Sequence, residues 1–79
     1  MKQIISFKKD PDHRQGHILE VMAAPIGTGE VIQTREYLEK KHFFFHFIEA
    51  DAIKAQARGN YQDLLKTLKE LEKDGYTWE

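Results

Sequence analysis

The chain has 79 residues, a net charge of −1 at neutral pH and no cysteine. Disulfides and thiolate metal sites are therefore excluded, and the near-neutral charge argues against a dedicated nucleic-acid binder. The 41% hydrophobic and 32% charged content is typical of one globular domain spanning residues 1–79. The N-terminus lacks the apolar segment of a signal peptide, and no run is long enough to span a membrane. We therefore expect a cytoplasmic protein without a membrane partner.

The first 24 residues predict two antiparallel strands joined by a loop. Residues 2–8 have the β-branched and aromatic composition of a strand. The sequence Asp10-Pro11-Asp12 and the following Gly16 are typical of a turn. In the second strand, residues 17–24, side chains alternate between two faces, with Leu19, Val21 and Ala23 on one and Ile18, Glu20 and Met22 on the other.

Residues 30–41 fit a helix better than a strand. Thr28 could cap this helix, and Glu30 would interact favourably with the positive end of its dipole. Residues 35–41 are rich in helix formers. In contrast, Val31 and Ile32 favour a strand that forms a hairpin with the preceding one. We expect the helix and keep the strand as the alternative.

The aromatic stretch 42–48 contains four of the five phenylalanines. Its composition predicts a strand whose side chains Phe43, Phe45 and Phe47 face the core. Residues 52–58 alternate between apolar and polar side chains, which indicates a second strand, although their alanines favour a helix. The alternative is one long helix over residues 35–58, which would give a β-hairpin plus an α-hairpin.

The last predicted element is a helix capped by Asn60, with Asp63 at its third position. A leucine stripe marks its core-facing side, and Gly75 suits the residue that ends it. The stripe consists of Leu64, Leu65, Leu68 and Leu71. Together the elements predict an α+β domain with a single antiparallel sheet, two helices on one face and the order ββαββα.

Residues 53–65 combine a strand, Gly59, the cap Asn60 and a leucine-rich helix, and this junction resembles that of ferredoxin-like domains. The resemblance implies an antiparallel sheet covered on one face by two helices. No last strand is expected in this chain, and the N-terminal strand would take its place, as in a circularly permuted version. A fold of this kind does not indicate a function by itself.

No catalytic motif is present, and we expect a non-enzymatic protein that acts by binding, without a cofactor. The only serine is Ser6, and the glycines at 27 and 29 lack the lysine of a phosphate-binding loop. The sheet face opposite the helices would expose aromatic, imidazole, amide and cationic side chains. These candidate binding residues are His42, Phe44, His46, Lys54, Gln56 and Arg58. Such an exposed patch predicts a homodimer or a regulatory contact with another protein.

Ligand or metal sensing is the alternative function. His13 and His17, like His42 and His46, are four residues apart, which places each pair on one face of a helix or a strand. Zinc requires three or four such ligands, and neither pair is followed by a catalytic signature. We therefore predict no complete metal site, and a sensing function would use the sheet face that carries His42 and His46.

Nucleic-acid binding is the third expectation. Lys41, Phe43 and Phe45 match positions in the aromatic strand motif of RNA-recognition domains, which residues 41–47 slightly resemble. His42 and Phe44 replace the glycine and the small residue of that motif. The resemblance implies stacking of bases on the phenylalanine rings, which requires those rings to be exposed.

Overall fold

The computed structural model describes residues 2–24, 28–48 and 51–78. Its elements in chain order are β1 (Lys2–Lys9), β2 (Gly16–Ala24), α1 (Thr28–Lys40), β3 (Phe44–Ile48), β4 (Ile53–Asn60), α2 (Tyr61–Lys73) and β5 (Thr77–Trp78). The strands form one mixed sheet in the order β3-β4-β2-β1-β5. The pairs β1–β2, β2–β4 and β3–β4 are antiparallel, whereas β5 runs parallel to β1.

Both ambiguous segments adopt the structure that the sequence favours. The segment after β2 is a helix, and residues 44–48 and 53–60 form the predicted strand pair instead of one long helix. α1 begins at Thr28, and the predicted capping role of the Thr28 side chain lies outside what the structure describes. At α2, Asn60 caps the helix as predicted.

The ferredoxin-like order ββαββα is not matched, because a fifth strand follows α2. Gly75 has a φ of 97° and reverses the chain, and the buried Tyr76 leads it back to the sheet. Thr77 then pairs with Ile4 of β1 in parallel. The sheet is therefore mixed instead of antiparallel, and a last strand exists where none was expected.

Both helices pack against one face of the sheet and form a single core. The strands contribute alternate residues, as the apolar pattern predicts, and these are Ile5, Leu19, Val21, Ala23, Ile53, Ala55 and Ala57. The helices contribute Leu38, Leu64, Leu68 and Leu71. Burial of each leucine stabilises the fold by about 1.5–3 kcal/mol before the loss of entropy is counted. In the described part of the chain, no helix covers the opposite face of the sheet.

The end of α1 explains why His42 does not belong to β3. His42 has a φ of 65°, in the left-handed region, and its N–H donates to the carbonyl of Glu39 at 3.0 Å. The N–H of Phe43 donates to the carbonyl of Leu38 at 3.1 Å, and the Phe43 ring is buried. These are the two hydrogen bonds of a Schellman motif, which also ends α2 at Gly75. His42 therefore serves to reverse the chain.

Candidate functional site

A β-bulge at His46 determines which side chains of β3 reach each face of the sheet. Phe45 pairs with the core residue Ala55, but the next pair joins Phe47 to Lys54. Two steps along β3 therefore correspond to one step along β4, and His46 is the extra residue. Because side chains alternate with a period of two, the bulge moves every later residue of β3 to the other face.

The prediction that Phe43, Phe45 and Phe47 share the core face is wrong for Phe47. Phe43 is buried at the end of α1, and Phe45 packs partly against the core. Phe47 is opposite Lys54 and so lies on the face away from the helices, together with Phe44. No glycine or proline marks the bulge in the sequence, so the pattern of apolar residues contains no signal for it.

The side of the sheet away from the helices is called the open face below. Strand pairing assigns to it Ile4, Ser6, Lys8, Ile18, Glu20, Met22, Phe44, Phe47, Lys54, Gln56 and Arg58. Phe44 is 76% exposed, the most exposed of the large apolar side chains among the described residues. The open face therefore combines an exposed aromatic edge with a polar centre.

Glu20 is the centre of the polar part of the open face. The Nε2 of Gln56 donates to Glu20 Oε2 at 2.6 Å, and the Nζ of Lys54 lies 3.7 Å from Glu20 Oε1. Each carboxylate oxygen therefore has a partner on β4, which satisfies a partly buried charge. The sequence predicted Lys54 and Gln56 as site residues but missed Glu20, because only the register of β2 against β4 shows that they meet.

The four histidines are dispersed over the molecule. His13 lies in the β1–β2 loop, His17 packs on the helix side of β2, His42 ends α1 and His46 lies exposed at the bulge. Residues 2–24, 28–48 and 51–78 contain no group of three His, Asp or Glu that could hold a metal ion. His42 was predicted for the open face and is not on it, because the chain reverses there before β3 begins.

A cleft lies at the end of the sheet, where the β1–β2 loop meets the junction of β4 and α2. Its volume is about 590 Å³, and its walls include Asp10, Asp12, His13, Arg58 and Asn60. Arg58 also lines a smaller cavity of about 250 Å³ beside Phe44 on the open face. One cation is therefore shared by the cleft and the open face.

Asp10 organises the loop that forms one wall of the cleft. Its side chain is 6% exposed, and its Oδ1 accepts a hydrogen bond from the N–H of Asp12 at 2.9 Å. Its own N–H donates to the carbonyl of Gly16 at 2.9 Å. A Cβ at Gly16 would lie 3.0 Å from the Cβ of His13, so only glycine lets the imidazole pack this closely.

Arg58 faces two carboxylates across the cleft without a hydrogen bond to either. Its Nη1 lies 3.8 Å from Asp10 Oδ2 and 3.9 Å from Asp12 Oδ2, beyond hydrogen-bond length. The side chain of Arg58 is 52% exposed and that of Asp12 is 79% exposed. The cleft thus presents charges of both signs to solvent.

Asn60 closes the N-terminus of α2 at the edge of the same cleft. Its Oδ1 accepts the N–H of Asp63 at 2.9 Å, and its Nδ2 donates to the Asp63 carboxylate at 2.9 Å. The first turn of α2 therefore has its own cap.

A second polar cluster joins the ends of the two helices. The hydroxyl of Tyr37 donates to Asp74 Oδ2, and the rings of Tyr37 and Tyr76 stack with their centroids 6.0 Å apart. Burial, followed by the hydrogen bond to Asp74, raises the pKa of Tyr37. Burial and then the charge of Asp74 raise the pKa of Tyr76 to about 12. Both phenols therefore keep their protons near pH 7. The Tyr37 hydroxyl can then donate to Asp74, which links the ends of the two helices.

Comparison with known proteins identifies no relative: no family model matches the chain, and no curated protein or solved structure matches it. None of the helices in the described ranges is both long and apolar enough to cross a membrane. The open face and the cleft are therefore the features on which a functional proposal can rest.

Proposed function

We propose that the protein is a non-enzymatic binding domain that forms a homodimer through the open face. The main observation that supports this proposal is the exposure of Phe44 on a sheet face that no described helix covers. Phe47, Ile4 and Met22 extend the apolar surface across the sheet. An uncovered apolar surface of this kind is typical of a protein interface.

The size of the open face suits a small two-fold interface. Strands are about 4.8 Å apart and rise about 3.3 Å per residue, so β1, β2, β4 and the shorter β3 cover roughly 450 Å² of flat surface per copy. Two such faces would bury ~900 Å² of flat area in total, slightly below the ~1,000 Å² that marks the lower limit of specific interfaces, as expected of a weak dimer.

Packing through the face is favoured over pairing through an edge. β3 is an edge strand, but the bulge at His46 interrupts its row of backbone donors and acceptors. The opposite edge strand, β5, has only two residues. The proposed dimer therefore stacks two sheets face to face instead of extending one sheet.

The charges of the open face favour a second copy as the partner. Glu20 and Lys54 lie side by side, so a two-fold axis can bring the carboxylate of one copy towards the cation of the other. A nucleic-acid partner is disfavoured, because the motif residues Phe43 and Phe45 belong to the core or pack against it and cannot stack on bases.

Light scattering on matched variants tests the dimer. Phe44→Lys places a charge on the exposed aromatic edge of the proposed interface, and we expect it to convert a dimer at high micromolar concentration into a monomer. Ile32→Lys is the control, because Ile32 is 58% exposed on α1, away from the sheet. A monomeric wild type at that concentration, or equal dissociation of both variants, would show the proposal to be wrong.

A further inference from the structure

We infer that the cleft binds a small zwitterion of the α-amino acid class, with its carboxylate at Arg58 and its ammonium group at Asp12 and Asp10. The cleft shares Arg58 with the open face, but its other walls come from the β1–β2 loop and the β4–α2 junction of a single copy, so binding there does not require the dimer. Three features of the cleft favour such a ligand, namely its charges, its preformed shape and its unused hydrogen-bond donors.

The charges of the cleft select a ligand that carries both signs. A simple anion such as phosphate would meet one guanidinium and two carboxylates. A metal cation would meet the guanidinium and would lack a set of three ligands among the described residues. A zwitterion interacts favourably with both walls of the cleft, because its carboxylate and its ammonium group each lie near a group of opposite charge.

The donors of Arg58 are available for a carboxylate. Its contacts of 3.8 and 3.9 Å to the two aspartates are Coulombic, and no hydrogen bond joins its guanidinium to any residue within the described ranges. A guanidinium presents a planar fork of donors that fits a carboxylate with two parallel hydrogen bonds. In an α-amino acid a single carbon separates the two charged groups, which suits the adjacent Arg58 and Asp12 charges.

The cleft is formed before a ligand arrives. The hydrogen bonds of Asp10 to Asp12 and Gly16 fix the loop, so little ordering is needed on binding. The volume of about 590 Å³ lies within the ~300–1,000 Å³ range of small-molecule pockets. A free amino acid or a small derivative fits this space.

Amide chemical-shift titration tests the inference directly. The probes are the standard α-amino acids, added singly at millimolar concentration, with acetate and methylamine as single-charge analogues of glycine. We expect at least one amino acid to shift the backbone amides of residue 10 and of residues 12–16 and 58–60 saturably. The analogues should bind at least about tenfold more weakly, since each satisfies only one side of the cleft.

Two variants assign the contacts, and two more serve as controls. Arg58→Gln and Asp12→Asn should each weaken binding about tenfold, and Arg35→Gln, on the exposed surface of α1, should leave it unchanged. Phe44→Lys should still bind, which separates this inference from the dimer. The inference is overturned if no amino acid shifts these amides, or if acetate binds as tightly as the best amino acid.

Discussion

The hydroxyl of Tyr37 in α1 donates a 2.6 Å hydrogen bond to the carboxylate of Asp74, which directly follows α2. An ion pair between Lys41 and Glu70 lies beside it, and the Lys41 ammonium sits 5.4 Å from the centre of the Tyr37 ring. The two helices meet through few core residues, so these polar contacts fix their ends relative to each other.

Removal of the Tyr37 hydroxyl should destabilise the fold modestly. We expect Tyr37→Phe to lower the free energy of unfolding by about 1 kcal/mol, because Asp74 loses its donor while the ring stack remains. Urea denaturation measures the change. Tyr61→Phe is the matched control, since no hydrogen bond of the Tyr61 hydroxyl is found among the described residues. An equal loss in the control would mean that the Tyr37–Asp74 bond contributes nothing.

Alkaline pH should weaken the fold through Tyr76. Its pKa is raised from 10.0 to about 12 by burial and by Asp74, so the unfolded chain loses this proton first as the pH rises. The stabilisation is fully present below pH 10 and is lost as the pH rises towards 12. Allowing for solvent screening, the loss amounts to about 2 kcal/mol. Tyr37 shifts in the same direction.

Urea unfolding of Tyr76→Phe across the same pH range separates this effect from general alkaline denaturation. The variant lacks the titrating phenol and should lose less stability between pH 10 and 12 than the wild type. Parallel curves for the two proteins would contradict the assignment to Tyr76.

Substitutions at His42 and Gly75 test the left-handed backbone conformations that end the two helices. His42→Gly should raise the free energy of unfolding by about 1 kcal/mol, because glycine adopts a φ of 65° without steric cost. Gly75→Ala should lower it by about 1–2 kcal/mol through strain alone, since no atom lies within 4 Å of an added Cβ. Thermal denaturation shows whether each substitution raises or lowers the stability of the fold. A destabilised His42→Gly would instead indicate that the imidazole makes a contact of its own.

Local patterns were sufficient to predict most elements of the fold. Alternation along β2 and β4 gave the faces correctly, because both strands are regular and central. The leucine stripe and Asn60 located α2. β5 was missed, because a strand of two residues has no periodicity and depends on its parallel partner β1. The assignment of His42 to the aromatic strand was wrong, because His42 occupies a left-handed conformation that usually requires glycine.

The candidate sites were predictable only in part, because they depend on long-range register. Lys54, Gln56 and Arg58 were identified from alternation alone, but their partners Glu20, Asp10 and Asp12 come from the first two strands and their loop. Sequence patterns report which face a residue occupies within its own strand. They do not report which residue of another strand lies opposite, and the cleft is defined by that relationship.

The bulge itself can be tested by comparing Phe45→Lys with Phe47→Lys. A regular strand would place both rings in the core, whereas the observed register places only Phe45 there. We expect Phe45→Lys to cost about 3 kcal/mol and Phe47→Lys only about 1 kcal/mol, because Phe45 packs against the core and the half-buried Phe47 does not. Phe47→Lys should also weaken the proposed dimer, as Phe44→Lys does. Equal losses of stability in urea would mean that β3 pairs without the bulge and that Phe47 belongs to the core.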